Sequence, residues 1–133
     1  VDLFGLFKDD KTPDTPILVR TRFKPYALKA MAESDTDLII EITNNSKKEV
    51  LLSLTVSVPY GIGFDNLAMQ RSKEVRLGTL TANETKEIVY RIQGNTASRA
   101  GIYKVRLTVM THYRNYDLIE NKVSKAIDLR VGG

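Results

Sequence analysis

The sequence predicts an all-β fold: an antiparallel β-sandwich of seven to nine strands. Three observations carry the prediction. Side chains alternate over long stretches, with Leu38, Ile40 and Ile42 on one face of 36–44, and Val50, Leu52, Leu54, Val56 and Val58 on one face of 49–58. A period of two sends neighbouring side chains to opposite faces of a strand, so half-buried strands satisfy the pattern and helices do not. Clusters of Gly, Asn, Asp, Ser and Pro recur between these stretches at the short spacing typical of sandwiches and barrels. No long segment carries a convincing helical period.

The elements follow in order. Residues 1–16 open with an apolar cluster (Leu3, Phe4, Leu6, Phe7) and continue through Asp9, Asp10, Pro13 and Pro16, which read as a linker. The sandwich is expected over 17–131. Ile17–Phe23 alternates and reads as the first strand. Residues 25–33 are ambiguous: Ala, Leu, Met and Lys favour helix, but the position after Pro25 and just before a long strand allows a short edge strand, which is the reading preferred. Strands are expected at 36–44 and 49–58, joined by a hairpin turn at Asn44 and Asn45, because Asn tolerates left-handed backbone angles. Pro59–Gly63 is a loop, with a short strand expected near Phe64–Met69 and another at Glu74–Gly78. Thr81–Glu84 is a turn before Glu87–Gln93, where Ile88, Tyr90 and Ile92 alternate. Gly94–Gly101 turns into a long strand over Ile102–Tyr113. Arg114–Asp117 turns again into the last strand, about 119–131, with Val123, Ile127, Leu129 and Val131 on one side.

Composition narrows the classes. A chain of 133 residues is expected to form one domain and to bury roughly two-thirds of its unfolded surface. With no cysteine, disulfides and thiolate metal sites are excluded. The net charge of +4, from 20 basic and 16 acidic residues, is mild, and no basic block marks a nucleic-acid tail. No apolar run approaches the length of a membrane-spanning helix.

At Leu38–Val58, Leu77–Ile92 and Gly101–Val109 the chain resembles the immunoglobulin-like repeats of bacterial and archaeal cell-adhesion-related domains. The matching residues are Ile42-Thr-Asn-Asn-Ser46, Leu77-Gly-Thr-Leu-Thr-Ala-Asn-Glu84 and Gly101-Ile-Tyr-Lys-Val105, and the likeness covers roughly 24–131. It implies an immunoglobulin-like or fibronectin-III-like sandwich of prokaryotic type, working as a binding or spacer module without catalytic residues. It also implies that Tyr103 is a corner tyrosine bonding back to the backbone. Ser46, where such repeats commonly have glycine, and a longer 59–72 segment depart from the pattern.

Candidate chemistry is sparse. His112, the single histidine, has no Cys or His partner for zinc, and its parity opposite Val105 and Val109 makes a solvated surface histidine the expectation. No Gly-x-Ser-x-Gly elbow supports a serine hydrolase. The Gly61-Ile-Gly63 motif lacks the helix a phosphate loop needs. Asp9-Asp10 and Asp35/Asp37 read as solvated turn carboxylates. Asn44-Asn-Ser46 and Asn83-Glu-Thr85 match the glycosylation pattern but carry no argument for secretion. The Leu129-Arg-Val-Gly-Gly133 end resembles that of ubiquitin-like modifiers, whose central helix this sequence lacks.

Two surfaces stand out as candidate binding sites. The tip formed by Tyr113, Arg114, Asn115 and Tyr116 combines residue types enriched in interface hot spots on a loop at a sandwich end. Lys104 and Arg106, with Arg114, form a basic stripe expected to lie beside Ser53, Thr55 and Ser57 and to continue through Ser124, Ala126, Asp128 and Arg130. The aromatic residues are not interleaved with these bases, which argues against nucleic acid. The expected function is a non-catalytic protein-interaction or spacer module with no cofactor. The alternative is a structural or assembly subunit that forms homo-oligomers through an edge strand or the apolar N-terminal segment. The expected location is the cytoplasm if the 133 residues are complete, and the cell surface if they are a fragment.

Overall fold

The structure, a computed structural model, describes residues 17–132. The N-terminal segment 1–16, with its apolar cluster and the Asp9-Asp10 pair, and Gly133 lie outside the described residues.

Eight strands are present among them: β1 (Ile17–Lys24), β2 (Ala27–Leu28), β3 (Ser34–Asn44), β4 (Val50–Ser57), β5 (Ser72–Leu80), β6 (Thr85–Gly94), β7 (Gly101–His112) and β8 (Ile119–Val131). They form a three-stranded sheet in the order β1-β3-β6 and a five-stranded sheet in the order β2-β8-β7-β4-β5. Every pairing is antiparallel except β2 with β8. The chain changes sheets between Lys24 and Ala27, where Pro25 offers no N–H to a ladder. The carbonyl of Pro25 is instead bonded by the Thr36 hydroxyl.

The alternating residues meet between the sheets. Leu38, Ile40 and Ile42 of β3 face Leu52, Leu54 and Val56 of β4, with Val105, Leu107, Leu129 and Val131 completing the interior. Leu38, Ile40, Leu52, Leu54 and Leu107 are all fully buried. Burying each such side chain stabilises the fold by about 1.5–3 kcal/mol, which lets the sandwich hold without covalent staples.

Several expectations change in the structure. The 45–49 loop is not a hairpin: β3 and β4 lie in different sheets, and neither Asn44 nor Asn45 adopts a left-handed backbone. Asn44 is buried instead. Its Nδ2 donates to the carbonyls of Lys48, Leu80 and Thr81 at 2.9, 3.0 and 3.2 Å. Its Oδ1 accepts from the amide and hydroxyl of Ser46, which explains a serine where glycine was expected. Asn44 of the glycosylation-like triplet is thus closed to modification. Phe64–Met69 is a loop rather than a strand, and Glu74–Gly78 extends into the longer β5, whereas 25–33 does hold a short edge strand, the two-residue β2. Asp35 and Asp37 lie within β3, not in a turn, and Asp37 pairs with Arg91 at 3.5 Å.

The strand registers place the loops at two ends. Loops 45–49, 81–84 and 113–118 lie at one end with Ile17, here the proximal end. Loops 29–33, 58–71 and 95–100 lie at the distal end with Val131. At the distal end Tyr103 bonds through its hydroxyl to the carbonyl of Arg99 at 2.8 Å, the corner contact the resemblance implied.

Candidate interaction surfaces at the sandwich ends

The proximal end is built on two bulges. Across β4 and β5, Leu52 pairs with Gly78 but Ser53 pairs with Arg76, so Leu77 is the extra residue and Gly78 takes φ 76°. A left-handed glycine suits a bulge because it carries no Cβ penalty. The β7–β8 ladder slips likewise between Thr111 and His112. A bulge leaves ladder groups unpaired, and Tyr116 meets that need: its hydroxyl accepts the Gly78 N–H at 2.8 Å.

This contact folds the 113–118 turn back over the outer face of the five-stranded sheet. The Tyr116 ring stands edge-on to His112, centroids 5.1 Å apart, and the Arg76 guanidinium sits 4.6 Å from its centre. His112 is therefore only 7% exposed, a correction to the solvated histidine its parity suggested. Its Nε2 lies 2.7 Å from Ser53 Oγ, and its Nδ1 has no partner.

The four residues of the tip divide. Tyr116 is an anchor. Asn115 shapes the turn, its Oδ1 accepting the Asp117 N–H and its carbonyl that of Leu118. Tyr113 is 53% exposed, and Arg114, at φ 71°, lays its guanidinium 5.1 Å from the Tyr113 ring centre. Arg114 lies in the turn, not on the long strand. It borders a broad groove of about 1120 Å³ that also meets Lys47, Lys48, Tyr113 and Glu120.

The basic stripe holds only in part. β7 neighbours β4 and β8 as expected, so Lys104 and Arg106 share an outer face with Thr55, Ser57, Ser124 and Ala126. Lys104, however, is paired with Asp128 at 2.6 Å, leaving Arg106 as the more available cation. The Ser53–His112 pair depends on the register of β4 against β7, which the sequence alone does not display.

The distal end carries a second exposed surface. Tyr60, Leu67 and Met69 are 84%, 68% and 75% exposed and line a groove of about 390 Å³ with Arg71 and Ala97. Their loop is tightly fixed. Asp65 Oδ1 accepts the amides of Met69 and Gln70, Phe64 donates to the Gln70 carbonyl, and Gly63 exchanges bonds with Gln93.

Among the described residues no three His, Cys, Asp or Glu side chains converge as a metal site, and no helix is long and apolar enough to cross a membrane.

Comparison with known proteins shows the fold. No protein family matches the chain, and no curated protein matches it by sequence. Among solved structures, Escherichia coli alpha-2-macroglobulin, spanning domain MG7 to the C-terminus, aligns over 88% of this chain at 12% identity, with a TM-score of 0.65. The fold is immunoglobulin-like. The CARDB domain of the PF1109 protein from Pyrococcus furiosus, in complex with di-metal ions, aligns over 88% of both chains at 14% identity, with a TM-score of 0.53. The Pseudomonas fluorescens alkylpurine DNA glycosylase AlkC, bound to DNA, aligns over 90% of this chain at 10% identity, with a TM-score of 0.54. The chain spans only 16% of the alpha-2-macroglobulin chain and 31% of AlkC.

Proposed function

We propose that this immunoglobulin-like sandwich is a non-catalytic protein-interaction or spacer module whose recognition surface is the proximal turn at Tyr113 and Arg114, with Arg106 and Lys104 lying farther along the outer face of β7 toward the distal end. The observation that carries the reading is the division of labour in that turn. Tyr116 locks it to the sheet through Gly78, while Tyr113 and Arg114 face solvent already stacked on one another. A rigid aromatic–arginine pair loses little conformational freedom on binding, the property that makes such residues interface anchors. Two further points support the reading. Ile17 and Val131 lie at opposite ends of the sandwich, as an in-line spacer requires. The Ser53–His112 pair is covered by Tyr116 and has no acid on Nδ1, unlike a working nucleophile–base pair.

The test is a photo-crosslinker placed at Tyr113 in the protein's own cells, with a control at exposed Val89 on the other sheet. A discrete adduct at position 113 that is lost on Arg114→Ala, and absent at position 89, is the expected result. Equal yields at both positions would reject the turn as the recognition surface.

A second reading, a structural or assembly subunit, is supported by the exposed apolar residues Tyr60, Leu67 and Met69 at the distal end.

A further inference from the structure

We propose that the distal groove receives residues 3–7 of a second copy of this chain. The inference rests on the assembly-subunit reading and names its contact.

The groove is made for an apolar guest. Three large hydrophobic side chains stand in water on a loop that gives them no freedom to retreat. Asp65 clamps two amides of the loop, and Gly63 approaches Ala68 so closely that an added Cβ would lie 2.6 Å from its Cα. Clustered apolar exposure of this kind marks an interaction surface, and a fixed loop adds little ordering cost when it binds. The volume of about 390 Å³ is that of a pocket for a few side chains.

The chain itself holds a matching guest. Leu3, Phe4, Leu6 and Phe7 form an apolar cluster within five residues, followed by Lys8-Asp9-Asp10-Lys11. On the rim of the groove, Arg71 lies 5.5 Å from the Tyr60 ring centre, a cation beside an apolar floor. An apolar cluster complements an apolar groove, and residues 1–16, with four aspartates against two lysines, carry an acidic excess opposite to the rim arginine.

Geometry selects a second copy over the same one. Residues 1–16 join the sandwich at Ile17, at the proximal end, whereas the groove is distal. β1 alone measures about 26 Å at ~3.3 Å per residue. β1 also lies two strands from β6, beside which the groove loop is paired, adding about 10 Å sideways. Residues 8–16, fully extended, reach about 30 Å. The cluster of the same chain would meet the groove only with its linker taut, whereas that of a neighbouring copy meets no such limit. With guest at one end and host at the other, copies in line propagate as a ring or filament, whereas two antiparallel copies exchanging segments close as a two-fold dimer.

The experiment uses the full chain in two broken forms. One replaces Leu3, Phe4, Leu6 and Phe7 by Ser and keeps the groove. The other carries Leu67→Asp and Met69→Asp and keeps the segment; both groove residues are largely exposed, so the interior is untouched. Sedimentation of the unaltered chain should show species that grow with concentration, and each broken form alone should be monomeric. Mixed, the two should form a one-to-one complex and nothing larger, because the free ends that remain are both disabled. Arg71→Glu should weaken assembly, and Asp9→Lys with Asp10→Lys should restore it. An unaltered chain that stays monomeric at every concentration overturns the inference and the assembly reading together, and leaves the groove to a different protein. An oligomer that survives both broken forms, or a mixture that does not pair, overturns the groove contact alone and moves assembly to another surface such as an edge strand.

Discussion

Ser53 Oγ and His112 Nε2 lie 2.7 Å apart on the outer face of the five-stranded sheet, sealed beneath the Tyr116 ring. Ser53 is 1% exposed, so the bond satisfies groups that water barely reaches. Replacing Ser53 by Ala leaves both ring nitrogens of His112 unpaired, and the expected loss is about 1–3 kcal/mol in urea unfolding. His112→Phe keeps the edge-on contact with Tyr116 but strands the serine. The double variant removes both polar partners and should lose less than the sum of the singles, by about 1 kcal/mol. Strict additivity would show that the bond contributes nothing.

Asn44 joins the two sheets at the proximal end, its Nδ2 reaching the carbonyls of Leu80 and Thr81 while its backbone bonds Asn83 and Glu84. Asn44→Ala should cost about 3 kcal/mol, since buried carbonyls lose their donor. Asn44→Asp should cost more at neutral pH, because it turns a carboxylate oxygen toward those carbonyls. Ser46→Ala removes two hydroxyl bonds from a less buried site and should cost about 1 kcal/mol. Thermal unfolding of the three variants checks the order. An Asn44→Asp variant as stable as the parent would show that the clasp is dispensable.

How far the sequence could be read follows from what each feature depends on. Alternation in 36–44, 49–58 and 102–111 identified the core because a strand's inward face is set locally, by a period of two. Tyr103 comes from the resemblance to immunoglobulin-like repeats, and its bond is local, to Arg99 four residues away. The path after Asn44 was not legible. A polar loop between two strands has the same composition whether it closes a hairpin or crosses between sheets, and the deciding contacts are to Leu80 and Thr81, far along the chain. His112 was placed on the correct face, but its burial depends on Tyr116 folding back to a bulge at Gly78. Bulges and loop packing arise from strand register, which a single sequence does not display. Leu67 and Met69 were hidden for the opposite reason: apolar residues in a segment suggest a strand, and only the Asp65 clamp shows why they face water instead.

Two glycines should fail for different reasons. Gly63 has no left-handed strain, but a Cβ there would lie 2.6 Å from the Ala68 Cα, so Gly63→Ala forces a methyl against backbone and should destabilise by about 1–3 kcal/mol. Gly78 has open space around it but a φ of 76°, so Gly78→Ala meets only conformational strain, about 1 kcal/mol. Gly63→Ala should also disturb amide resonances from Gly63 to Gln70, whereas Gly78→Ala should perturb those near Tyr116. Equal costs with overlapping perturbations would contradict this assignment.

Tyr90 makes stability depend on alkaline pH. Its ring stands edge-on to Phe64 with centroids 5.7 Å apart, and the Lys73 ammonium lies 5.5 Å from its centre. Burial raises its hydroxyl above the usual tyrosine value, because the phenolate would sit in a poorly solvated site. The native state therefore holds this proton more tightly than the unfolded chain does. The resulting stabilisation is fully present below the unfolded value, near 10, and is lost as pH rises through the higher folded value. Urea midpoints measured across that window should fall with pH, and the Tyr90→Phe variant should show a shallower slope because it has no proton to release. Identical slopes in the two proteins would assign the alkaline loss to other groups.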